Sequence, residues 1–302
     1  MTLVCYTRPM RALLSAAPRS AARDYAALLL RRRPGLTDPA QFPLLERSLT
    51  GARLDPLWLA AYRAITGLGG AATSPLPPLA LQLAAAPLHL SLLADRAFPF
   101  RALGIVHVGQ SVRQTGPLPA DAPYLLRAFT SQAKEARRGM TFGLVTEASL
   151  AGVVIWRAET TALAPSRERK KGEPRPAPAA DAGPAWSERG TLDAPEPLGR
   201  RYAAVAQDLN PIHQHALLAR PFGFERAIVH GTWTLAAALG KAGLPAGDDY
   251  TLQVRFLKPV FLPSRVLVAA RTEGAGQAMR VTSLDGAVVH LSALVAPGAR
   301  AE

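Results

Sequence analysis

Asp208 and His213 stand five residues apart on either side of an Asn210-Pro211 turn, in the stretch Tyr202-Ala-Ala-Val-Ala-Gln-Asp-Leu-Asn-Pro-Ile-His. A second His-Gly step, His230-Gly231, opens an apolar run. A carboxylate accepts protons, and an imidazole donates or accepts them near neutral pH. Together they are parts for moving a proton at carbon next to a carbonyl. Taken singly, Asp208 also reads as a turn cap and His213 as a loop histidine packed on a sheet. Their compact spacing favours chemistry. Asn210 and Pro211 shape the turn, and His215, two residues past His213, faces elsewhere. Gly231 sits where a helix should begin. The first N–H groups of a helix lack internal partners and carry partial positive charge. A glycine there lets a carbonyl approach closely, which makes Gly231 an oxyanion candidate. His230 reads as a supporting or packing residue. His89, His107 and His290 read as packing residues too, since no carboxylate or metal-like spacing lies near them in the chain. No metal site and no cofactor are implied.

The elements that must hold these groups repeat. Tyr62-Arg-Ala-Ile-Thr-Gly67-Leu68 parallels Tyr202-Ala-Ala-Val-Ala-Gln207-Asp208. Each is followed by a loop and an apolar helix, predicted over 79–93 and 232–242. Strands are predicted next, at 107–113, 125–129, 141–148 and 153–161 in the first half. In the second they fall at 251–257, 266–271, 278–283 and 288–295. Their β-branched residues and turns such as Asp285-Gly286 favour hairpins. Each half is thus one long helix plus an antiparallel sheet, an α+β layout. Leu68 aligns with Asp208, and nothing near Thr73 replaces His213, so only the second half keeps the acid/base pair. A Pro-rich basic stretch at 165–185 separates the halves and reads as solvated backbone. The predicted organisation is an extension at 1–44, a first half at 45–164, that linker, and a second half at 186–302.

Composition sets the outer bounds. The chain has 302 residues, 49% of them apolar, and a formal charge of +13. A bias toward Ala and Arg explains part of the charge; an anionic partner would explain the rest. No helix-turn-helix, zinc finger or RNP-like motif accompanies it, so nucleic acid is not expected. No apolar run reaches transmembrane length, and no signal core is evident, so a cytoplasmic protein without membrane contact is expected. Cys5 is the single cysteine, which excludes an internal disulfide framework and a cysteine zinc site.

With these residues in view, the chain resembles the MaoC-like (R)-specific hydratases. Their pattern runs Tyr, Gly-Asp-x-Asn-Pro-x-His, Gly-Phe and His-Gly. It is met here by Tyr202, Asp208, Asn210, Pro211, His213, Gly223-Phe224 and His230-Gly231. The whole chain is similar to double-hotdog members, especially the mycobacterial (3R)-hydroxyacyl-thioester dehydratases and the dehydratase domain of fungal fatty acid synthase. Pro99-Phe100, Gly104–His107 and Val154–Trp156 match their degenerate first hotdog, and the resemblance spans roughly 45–297. It implies a double hotdog and reversible hydration of trans-2-enoyl thioesters of CoA or acyl carrier protein. Asp208 and His213 would grip the water, and the Gly231 N–H would stabilise the thioester oxygen. Asn210, Arg255 and Lys258 are candidate substrate contacts, the last two with CoA or phosphopantetheine phosphate. The 79–93 helix would line an acyl tunnel or serve as ordinary core, and a homodimer is compatible. Gln207 departs from the family glycine, which matters if that position needs a positive φ. A hotdog thioesterase and a non-catalytic acyl-thioester-binding subunit are the competing readings.

Overall fold

The computed structural model describes residues 28, 33–71, 74–166, 183–245 and 247–298. Cys5, Thr73, most of the 1–44 extension and most of the 165–185 stretch lie outside them. In the first half β1 (Glu46–Ala52) leads into α1 (Pro56–Thr66), α2 (Ala80–Ala84) and α3 (Ala86–Ala94). Four strands follow: β2 (Val106–Thr115), β3 (Tyr124–Ala136), β4 (Gly139–Leu150) and β5 (Val153–Pro165). The second half repeats the plan with β6 (Ser187–Ala194), α4 (Leu198–Ala206), a short α5 (Ala216–Ala219) and α6 (Gly231–Ala242). It closes with β7 (Asp249–Phe256), β8 (Ser264–Glu273), β9 (Gly276–Ser283) and β10 (Val289–Pro297).

All ten strands form one antiparallel sheet, ordered β1-β3-β4-β5-β2-β7-β10-β9-β8-β6. The last five, read backward, are the first five advanced by one repeat, so the sheet carries an internal twofold. Its centre is the β2–β7 pair, in register from Gly109 opposite Arg255 to Thr115 opposite Asp249. Each half curls around its own helix, giving the double hotdog expected from the sequence. The two halves share one core. The Trp58 Nε1–H donates to the Val205 carbonyl at 2.8 Å, and the Trp233 Nε1–H to the Ile65 carbonyl at 2.8 Å. Each indole thus reaches from its own half into a helix of the other. No helix among the described residues is long and apolar enough to cross a membrane.

Two local outcomes differ from the sequence expectation, and one contact lies outside it. The edge strands β1 and β6 were not foreseen, because polar residues and a glycine in each blur the period-2 pattern. Polar, weakly patterned strands are how sheet edges avoid pairing with other chains. The 79–93 helix is broken in two at Ala85. Pro87 has no N–H to donate, and its ring clashes with the carbonyl four residues back. Arg33, last of the Arg31–33 run, is no loose surface charge. Its guanidinium donates to the carbonyls of Leu93 at 3.0 Å and Phe98 at 2.9 Å, and to that of Asp95, capping the end of α3.

Candidate functional site

Both aligned turns end a helix on a left-handed residue: Gly67 after α1, at φ 68°, and Gln207 after α4, at φ 53°. The turn needs this geometry, and Gln207 adopts it at the cost of crowding its Cβ. Asp208 therefore follows a left-handed residue even though that residue is not glycine. Gln207→Gly is expected to raise stability by about 1 kcal/mol, the scale of a relieved left-handed residue, with activity retained. A thermal melt showing a lower midpoint would refute this. In the first half, Leu68 takes the equivalent place and packs near Gly240 of α6.

The Asp208 Oδ1 accepts the Asn210 N–H at 3.1 Å, and the Asn210 side chain accepts the Ile212 N–H at 3.4 Å. Residues Pro211–His213 then form one 3-10 turn, which lies directly on α4. Gly199 permits that contact. A Cβ at this position would sit 1.9 Å from the His213 carbonyl oxygen. Gly199→Ala must push the His213 turn off its helix. A stability loss of about 2 kcal/mol is expected, the range of overpacked cores, together with a fall in turnover. Unchanged denaturant midpoint and rate would show the turn to be freely displaced. Nothing in the local pattern marks this residue, since its partner is fourteen positions away and is a main-chain atom.

His213 is buried, and its Nδ1–H donates to the Ile228 carbonyl at 2.8 Å. That bond leaves Nε2 as an acceptor, 3.9 Å from the Asp208 Oδ2. The separation is too long for a direct hydrogen bond but suits one oxygen bonded to both. His230 is also buried, and it does more than pack. Its ring stacks on His213 at 3.7 Å, and its Nε2 lies 3.8 Å from the Asp208 Oδ2. The same Nε2 donates to the Asp208 main-chain carbonyl at 3.2 Å. Tyr202 closes the far side, its ring centre 5.1 Å from that of His230 and its hydroxyl 3.3 Å from the Thr232 Oγ1.

Burial works against charge on all three groups. It overrides the pull of Asp208 on His213, whose pKa lies below the usual imidazole value. It takes His230 to about 3, helped by the neighbouring His213. For Asp208 burial is also the largest influence, but the His230 and His213 imidazoles and the Asn210 N–H outweigh it. The carboxyl therefore titrates below its usual range. At neutral pH the site holds a carboxylate that keeps half its side-chain surface accessible, beside two neutral imidazoles.

Donor atoms of Asp208, His213 and His230 lie within 4.8 Å of one another, a spacing that a cation could use. The hydrogen bonds argue otherwise. His230 Nε2 must carry its proton to serve the Asp208 carbonyl, and stacked rings direct their lone pairs side by side, not toward one point. The set fits proton chemistry better than metal ligation.

Gly231 is the first residue of α6, so its N–H has no carbonyl within the helix to bond. A Cβ there would lie 2.9 Å from the Phe256 ring, so only glycine leaves the helix end open beneath it. Phe256 in turn meets His107 from the first half, ring centres 4.6 Å apart. A register shift between His107 and Gly109 in the β2–β5 pairing turns His107 to the inner face. There it is close enough to Asp208 to feel its charge. Chain spacing placed no carboxylate near His107; the bulge and the β2–β7 seam do. His215 caps α5, its Nδ1 accepting the Leu217 N–H at 3.2 Å. Arg255 is exposed on the face of β7 opposite Phe256, and Lys258 is exposed just beyond that strand.

Residues 190–293 match the MaoC like domain family. The 3-hydroxyacyl-thioester dehydratase X of Mycobacterium tuberculosis is 35% identical over 250 residues, 80% of this chain and 85% of that protein. The crystal structure of HtdX from Mycobacterium tuberculosis superposes with a TM-score of 0.73 at 32% identity, covering 83% of this chain and 99% of that one. A MaoC-like dehydratase from Phytophthora capsici shares the fold, with a TM-score of 0.63 at 16% identity over 87% of this chain and 99% of its own. With a relative 35% identical over 80% of its length and the fold shared throughout, the chain belongs to the MaoC-like dehydratase family.

Proposed function

We propose that this protein is a hydro-lyase that interconverts trans-2-enoyl and (3R)-3-hydroxyacyl thioesters. The observation that carries the reading is the 3.9 Å gap between the Asp208 Oδ2 and the His213 Nε2, with the free N–H end of α6 beside it. Both facing atoms are acceptors in the resting state. A water between them donates one O–H to each and keeps a lone pair for C3. As the oxygen bonds C3, one proton passes to the pair; the pair returns one proton to C2. Negative charge grows on the thioester oxygen between these events, and the Gly231 N–H at the helix start is placed to meet it. Dehydration runs the same steps in reverse. His230 holds the Asp208 main chain and keeps the stacked His213 in its plane.

Thioesters of CoA or acyl carrier protein fit the reading equally, and the net charge of +13 favours either anionic carrier. Arg255 and Lys258 are proposed to meet carrier phosphates at the rim. Incubation with crotonyl-CoA separates the competing chemistries. Loss of the enoyl absorbance without free thiol is expected. Release of free thiol would make the protein a thioesterase, and binding with neither change would make it a non-catalytic carrier subunit.

A further inference from the structure

The interior of the first half is built differently from that of the second. On β5 the inner face carries Trp156, Ala158, Thr160, Ala162 and Ala164, so beyond Trp156 it is smaller than the β10 face of Leu291, Ala293 and Val295. Across the central seam Gln110 pairs with Val254. The helix inside the first half is broken at Ala85, whereas α6 runs unbroken. Beyond Trp156 the first half thus combines small side chains on β5, a broken helix, and the buried polar side chains Gln82, Gln110 and Thr160.

Those polar groups form a directed chain. The Gln110 Nε2 donates to the Ser111 carbonyl at 3.3 Å, which can only accept, and this fixes the Gln110 Oε1 as an acceptor. It receives the Thr160 hydroxyl at 2.9 Å. The Thr160 oxygen then accepts the Gln82 Nε2–H at 3.0 Å. The chain ends on the Gln82 Oε1, a buried acceptor with no hydrogen-bond partner among the described residues. Gln82 is 7% exposed, Gln110 3% and Thr160 9%. A buried acceptor left unpaired is costly, and a bound donor would remove that cost.

The chain starts beside the reactive pair. His107 precedes Gln110 by three residues on β2, and it senses both Asp208 and His89. Burial dominates the titration of both histidines, yet each keeps accessible surface.

Resting on the hydro-lyase reading, we infer that the acyl tail enters the interior of the first half, which selects tails carrying a hydroxyl or similar neutral donor to bond the Gln82 Oε1. An ordinary apolar tunnel does the opposite, because burying an unpaired hydroxyl is costly. The specificity residue is Gln82, held in orientation by Thr160 and Gln110.

The test uses the full-length protein with 2-enoyl-CoA thioesters of eight to ten carbons. Plain chains are compared with isomers hydroxylated at each position from C6 outward. One isomer is expected to exceed the plain chain of equal length in kcat/KM by about tenfold, the worth of one added hydrogen bond. Gln82→Met should cancel that ratio. A plain chain preferred over every hydroxylated isomer overturns the inference, and so does a ratio that survives Gln82→Met. The ratio in the unsubstituted protein stands even if the variant does not fold. If no thioester is turned over, calorimetric binding of the saturated pairs decides. A retained preference for the hydroxylated tail then supports the pocket and sinks only the reaction. Equal or no binding sinks the pocket.

Discussion

Asp208→Asn and His213→Ala are each expected to lower turnover of a 2-enoyl thioester by at least about a hundredfold, the usual scale for acid/base groups. Asparagine can still accept the Asn210 N–H through its Oδ1, so the turn that positions the site survives the first substitution. What disappears is the charge that the two imidazoles stabilise, and with it one of the two acceptors facing the gap. His213→Ala removes the other acceptor, along with the bond that ties it to Ile228. The two groups grip one water, so their effects should not multiply. The double variant is expected to be little worse than the poorer single one, as for residues that act as a unit. Steady-state rates on folded variants, checked by circular dichroism, provide the comparison. Near-normal rates in both single variants would remove the pair from the reaction.

Between pH 7 and pH 5 the folded protein is expected to lose at least about 2 kcal/mol of stability. The cause is burial of neutral histidines. It holds His89 and His107 at about 4 and His230 at about 3. In the unfolded chain each returns to about 6.5. Folded values depressed in this way contribute stability that is complete above the unfolded pKa and is lost as pH falls toward the folded one. At pH 5 a single such histidine accounts for about 2 kcal/mol. His230, the most buried, should show the effect in full; His89 and His107 add less because they keep accessible surface. Asp208 does not oppose this, since its own pKa is lowered and its contribution fades only below the ordinary carboxylate range. Urea titrations at pH 5, 6 and 7 read the difference. A flat profile would mean that the native state accepts these protons. His230→Gln should flatten the slope by one histidine's share.

Much of the architecture could be read from local pattern. The β9–β10 turn sits where Asp285-Gly286 placed it, and α6 begins at the His-Gly step. The parallel between Tyr62–Leu68 and Tyr202–Asp208 appears as two helices capped by left-handed residues. These features are legible because turn chemistry and hydrophobic period act within a few residues. The edge strands and the break near Pro87 show where local pattern fails. Edges are selected to be weakly patterned, and one proline outweighs an otherwise helical composition.

The sequence by itself determined that Asp208, Asn210, Pro211 and His213 lie on one turn, because their contacts are local and their spacing sets them. Only the tertiary structure decided what surrounds that turn. His230 stacks on His213 from seventeen residues away, and Gly199 opens the seat for the turn on α4. His107 arrives from the other half through a bulge and a seam between strands that lie far apart in the chain. Gln82, Thr160 and Gln110 meet across three separate elements. Such contacts depend on register and on which face a side chain takes. A one-residue bulge reverses that face, and no short window of sequence carries the information.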